Sequence, residues 1–134
     1  MENNKPVVAV YCRVAHADET IIDIQKNLLS LFAEEMGFGN CVFYTDNGYS
    51  GSNLDRPAFS KMNKAMQAGK IRAVIVKDHA RIARNFHLIN EWLDEAAKLC
   101  IPVIVYNCPD NELQDKLRVS LAASFAEKTK RRFR

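Results

Sequence analysis

No apolar run in this sequence approaches the ~20 residues that a membrane-spanning helix needs, so a spanning segment is not expected. The start, Met1 to Lys5, lacks the basic opening and apolar core of a signal peptide, and a cytoplasmic protein is expected. The four cysteines, Cys12, Cys41, Cys100 and Cys108, stand singly, three of them in or beside apolar stretches. Buried, reduced thiols are therefore predicted in place of disulfides. His16, His79 and His87 have neither partner cysteines nor a helical i, i+4 pairing, so no metal site is expected. No Gly-x-Gly-x-x-Gly follows a strand and no Gly-x-x-x-x-Gly-Lys loop is present. Gly48-Tyr49-Ser50-Gly51 also lacks the spacing of a hydrolase elbow. Internal repeats, low-complexity tracts and linkers are missing too, which leaves one domain, residues 1–134, with no cofactor.

What is present is globular: 134 residues, 48% hydrophobic and 26% charged. Val7 to Ala15 is a near-continuous apolar run that predicts a strand buried on both faces. Along it Tyr11, Arg13 and Ala15 point one way, Cys12 and Val14 the other. Asp18 can cap a helix whose apolar positions Ile21, Ile24, Leu28, Phe32 and Met36 recur at intervals of three and four, ending near Gly37 and Gly39. A second strand over Cys41 to Thr45 leads into a loop, Asp46 to Leu54, rich in glycine and asparagine. Asp55-Arg56-Pro57 opens a helix with Phe59, Met62 and Met66 inward, and Gly69 closes it.

A third strand, Ala73 to Lys77, runs into the polar stretch Asp78 to Asn85. A helix with Leu88, Ile89, Trp92, Leu93 and Ala96 on one side follows, then a fourth strand, Ile101 to Tyr106. Strand and helix alternate throughout, which specifies an α/β fold with a parallel sheet and right-handed crossovers. The last segment, Glu112 to Arg134, is predicted to be helical, with Leu113, Leu117, Leu121 and Phe125 on one stripe. A stripe that projects beyond the sheet needs a partner, which an oligomer would supply.

The net charge is only +3, yet Lys128, Lys130, Arg131, Arg132 and Arg134 crowd the end of the chain. Such a cluster suits the phosphates of nucleic acid, or else decorates the negative end of a helix dipole. Three strand ends present polar groups at one edge of the sheet: Arg13, then Asp46 with Ser50, then Arg81 with Arg84. Arg56 adds a fourth guanidinium. Four arginines that can converge beside a hydroxyl suit a phosphodiester, because planar guanidinium forks match phosphate oxygens and stabilise charge developing on them. Taken one at a time, each arginine also fits a surface ion pair.

Three pieces of the sequence resemble the catalytic domain of the serine site-specific recombinases, the resolvase and invertase family with its transposon and large-integrase relatives. They are Tyr11-Cys12-Arg13-Val14, the run from Asp46 to Phe59, and Val76-Lys77-Asp78 leading into Arg81-Ile82-x-Arg84-Asn85. Ser124-Phe125-Ala126-Glu127 is similar to the start of the family's long dimerisation helix. The resemblance implies a three-layer fold, a mainly parallel sheet of four or five strands with helices on both faces, and an assembly helix over about residues 112–134. It also implies DNA recombination without metal or nucleotide: a serine hydroxyl attacks a phosphodiester, leaves a phosphoserine linkage, and the strand is rejoined to a new partner within a tetramer. By the same resemblance Arg13, Arg56, Arg81 and Arg84 contact the phosphate, and Asp46, Ser50 and Gln25 support the site; from their charge alone, Lys128, Lys130, Arg131 and Arg132 are expected to bind DNA.

The departures carry as much meaning. The family's nucleophile follows its Arg-Val pair, and that position is Ala15 here. Glu19 replaces a family glutamine, Ala80 and Ala83 replace a polar residue and a glycine, and Thr129-Lys130 stands where Glu-Arg is usual. Several changes together point to a degenerate relative in preference to one engineered substitution. A DNA-recombination domain deficient in cleavage is expected, as a homodimer or tetramer. The alternative is a non-catalytic regulatory or assembly partner that joins an active recombinase as a hetero-oligomer and holds DNA phosphate. A nucleophile supplied by Ser50 or Ser52 would need in-line geometry from a loop, and an α/β domain for some other phosphate leaves the Asp46 to Phe59 match unexplained. No DNA-binding domain follows in this sequence.

Overall fold

Apolar strands alternating with amphipathic helices build one parallel sheet in the computed structural model, which describes residues 6–107. The order is β1 (Val7–Val14), α1 (Glu19–Glu35), β2 (Cys41–Asn47), α2 (Pro57–Gln67), β3 (Ile71–Val76), a 3-10 turn (His79–Arg81), α3 (Phe86–Lys98) and β4 (Val103–Val105). The strands lie in the order β2-β1-β3-β4, all parallel. This is the expected α/β architecture, with four strands. The expected helix at about residues 112–134 and the basic residues Lys128, Lys130, Arg131 and Arg132 lie outside the described residues.

Strand alternation divides the core into two layers. Ala9 and Tyr11 of β1 face Phe59 and Met62 of α2 and Ile89 and Trp92 of α3. Val8, Val10, Cys12 and Val14 face Ile22, Leu29 and Ala33 of α1. Each large side chain buried in this way contributes roughly 1.5–3 kcal/mol. Trp92 keeps its one polar atom satisfied by donating from Nε1 to Asn63 Oδ1 at 2.7 Å.

The expected inward stripe of α1 is corrected. Ile21 is 47% exposed and Ile24 61%, whereas Ile22, Gln25, Leu29 and Ala33 are buried. The apolar arc of this helix is wider than the sheet can cover. Gln25 selects the rotation, because its amide meets both the N–H and the carbonyl of Arg13 at 3.3 Å. The strand bounds shift as well. β2 runs on to Asn47, since its pairing with β1 continues to Val14, while β4 begins only after Pro102, which lacks an N–H for the ladder.

One consequence of the topology positions everything functional. β1 leads to α1 on one face, and its neighbour β3 leads to α3 on the other. The chain therefore parts beyond the carboxyl ends of β1 and β3, and open α/β sheets form their ligand crevices at such a point.

Candidate functional site

Arg13 sits at this parting of the chain and is only 4% exposed. Its Nε donates to the Arg81 carbonyl at 3.1 Å, one terminal nitrogen to the Tyr49 carbonyl at 2.7 Å, and the other to the Ala80 carbonyl. Burial lowers its pKa, and the nearby Arg56 and Arg81 add to the effect, though an arginine stays charged at neutral pH. Gly51 is required beside it. A Cβ there would stand 2.8 Å from an Arg13 terminal nitrogen and 2.9 Å from Arg84 Cγ.

Beneath Arg13 lies a buried polar layer made by Tyr11, Asp46 and Arg56. The Tyr11 hydroxyl donates to Asp46 Oδ2 at 2.7 Å and accepts from an Arg56 terminal nitrogen at 3.2 Å. Asp46 also accepts from the backbone N–H groups of Ala58 at 2.9 Å and Phe59 at 3.1 Å. It caps α2 from a distance, a task the residue before that helix, Arg56, does not perform with its own side chain. Burial and the bond to Asp46 raise the Tyr11 pKa, so the phenol stays neutral. Arg56 donates to the carbonyls of Arg81, at 3.0 Å, and Ile82, and its guanidinium lies 4.6 Å over the Phe59 ring.

At the rim, Ala15 follows β1 directly and is exposed. Arg81 is partly exposed; it donates to the Arg13 carbonyl at 3.0 Å and pairs loosely with Asp78 at 3.4 Å. Arg84 is held by its backbone N–H on the Gly51 carbonyl at 2.8 Å, and its side chain lies at the surface. Ser50 is exposed and accepts from the Ser52 N–H at 3.1 Å. Glu19 accepts from Asn47 Nδ2 at 2.9 Å, which ties the start of α1 to the end of β2.

Sequence reasoning thus placed Arg13, Arg56 and Arg81 together, and they meet around one carbonyl, that of Arg81. It did not separate the two buried guanidiniums, Arg13 and Arg56, from the more exposed Arg81 and Arg84. It also gave no site role to Tyr11, Asn47 or Gly51. A signal for Tyr11 was present: it lies two residues before Arg13 on the same strand face, and a buried phenol needs a partner.

Fold and site together define a parallel α/β domain, covered on both faces, with an arginine cluster at its switch point. The chain belongs to the resolvase family of serine recombinases, since the family model for the resolvase N-terminal domain matches residues 8–134. It is 29% identical over 137 residues to a Bacillus subtilis (strain 168) protein named as a DNA recombinase, covering 94% of this chain but 26% of that protein. The crystal structure of the N-terminal catalytic domain of TP901-1 integrase matches with a TM-score of 0.71 and 26% identity, covering 91% of this chain and 96% of that one. A resolvase family site-specific recombinase from Streptococcus pneumoniae shares the fold, with a TM-score of 0.63 and 23% identity over 95% of this chain and 91% of its own. Among the described residues no helix is long and apolar enough to cross a membrane.

Proposed function

We propose that this chain is the catalytic-type domain of a site-specific DNA recombinase, a single unit that holds a DNA phosphodiester at the ends of β1 and β3 without cleaving it. The observation that carries this reading is Ala15 at the open rim, immediately beyond the paired arginines Arg13 and Arg81. In a cleaving relative the serine oxygen would bond to phosphorus while the bond from phosphorus to a deoxyribose oxygen breaks, leaving phosphoserine. A methyl group has no lone pair to make that bond. Arg81 and Arg84 supply direct phosphate contacts; Arg13 and Arg56 act from below, through their charge and by holding the backbone of Arg81.

The methyl group at Ala15 equally favours a second reading, a regulatory or assembly partner that occupies DNA within a dimer or tetramer beside active subunits. Incubation with duplex DNA followed by a denaturing gel tests the chemistry. Salt-sensitive binding with no covalent adduct is expected, and Ala15→Ser should produce an adduct. An adduct formed by the unmodified chain would sink the cleavage-deficient reading, and binding indifferent to Arg84→Ala would remove the phosphate site.

A further inference from the structure

The crevice leaves one built surface unused, on the far side of β2. Among the described residues this strand pairs with β1 alone, and Val42 and Phe43 on it are 41% and 37% exposed. The Asn40 carbonyl accepts from the Val8 N–H at 3.2 Å. Peptide groups alternate in direction along a strand, so those of Cys41, Phe43 and Thr45 turn to the open edge. Between this edge and α2 lie two adjoining cavities of about 710 and 410 Å³, which share Thr45, Ala58, Lys61 and Lys64.

The charge of the groove has one sign. Lys61, Lys64 and Lys70 line it, and none of them makes an ion pair among the described residues. Asp46 reaches the groove but is 1% exposed, with both carboxylate oxygens already bonded to Tyr11, Ala58 and Phe59. The Thr45 hydroxyl is buried and has no hydrogen-bond partner among the described residues.

We propose that this groove docks an extended acidic segment of a partner protein, which adds to the sheet as a strand beside β2. Outward N–H groups need acceptors and outward carbonyls need donors, and another polypeptide edge supplies both. A phosphodiester backbone offers acceptors only, so nucleic acid would leave the carbonyls of Cys41, Phe43 and Thr45 facing oxygen. Alternation does the rest: carboxylates at every second position meet Lys61, Lys64 and Lys70, while the residues between them lie on the Phe43 side. This inference is independent of the chemistry at Ala15.

A fluorescein-labelled peptide alternating Glu with Val and Thr provides the test, read by fluorescence polarisation against the whole chain. Binding should fall as salt rises and weaken about tenfold or more in the Lys61→Glu, Lys64→Glu double variant. Both lysines are exposed, and circular dichroism should show the fold retained. The same peptide N-methylated at alternate nitrogens keeps its charge but loses its donors, and it should also bind about tenfold more weakly. Equal binding of the two peptides would overturn strand addition. Displacement of the peptide by duplex DNA that itself binds through Lys61 and Lys64 would reassign the groove to nucleic acid.

Discussion

Arg13 and Arg81 hold each other's backbones: Arg13 Nε donates to the Arg81 carbonyl at 3.1 Å, and an Arg81 terminal nitrogen donates to the Arg13 carbonyl at 3.0 Å. Arg13 lies at the end of β1 and Arg81 in the 3-10 turn that follows β3; they carry like charges, which this reciprocal bonding keeps side by side. On the proposed reading such a pair serves as an electrostatic cradle for a phosphate, with the remaining donors set before a ligand arrives.

The two buried arginines should behave differently from the surface one. Arg84→Ala should leave the urea midpoint nearly unchanged and weaken DNA binding, because its side chain lies at the rim. Arg56→Ala should cost on the order of 2–4 kcal/mol in stability, since it strips the Ile82 carbonyl and the Tyr11 hydroxyl of a donor and leaves the Arg81 carbonyl with Arg13 alone. Urea unfolding and filter binding on both variants check the split; equal stability losses would refute it.

Asp46 is expected to act through α2. Asp46→Ala removes acceptors from two helix N–H groups and from the Tyr11 hydroxyl, which should cost about 2–3 kcal/mol. Hydrogen exchange should rise first at Ala58 and Phe59. Protection retained at those amides would show that another group caps the helix.

The rotation of α1 can be read by substitution on its two sides. Leu29→Ala, fully buried, should cost about 2–5 kcal/mol. Ile24→Lys, on the exposed side, should change monomer stability by no more than about 0.5 kcal/mol. Thermal melts of the two variants decide the matter, and a large loss at Ile24 would mean that this side is covered in solution.

Alkaline pH should destabilise the domain through Cys12. Burial pushes its thiol up to about 11, while the unfolded chain releases the proton in the ordinary thiol range. Between those values the folded state binds more protons, so stability falls as pH rises. It is fully present below the ordinary thiol range and lost as pH climbs towards 11. A loss of about 1–2 kcal/mol by pH 10.5 is expected from this group, and Tyr11 adds in the same direction above it. Urea midpoints from pH 8 to pH 10.5 measure the loss, and Cys12→Ala should flatten the curve. Exposed Cys100 should alkylate readily in the native protein, and Cys12 only on unfolding.

The sequence by itself determined the element types and their order, because hydrophobic period is a local property: two for the strands, three to four for the helices. It also determined that Arg13 ends a strand, that Arg81 follows one, and that glycine-rich chain lies between Asp46 and Arg56. Only the tertiary structure decided which side of α1 is buried, which arginines sink below the crevice, and what Asp46 caps. Those outcomes rest on bonds between groups far apart in sequence, such as Tyr11 to Asp46 and Arg13 to Arg81. An apolar arc or a lone charge cannot specify its partner until the sheet brings that partner alongside. The same holds for the edge of β2 that no other described strand covers: Lys61 and Lys64 are unremarkable on α2 and acquire meaning only beside that edge.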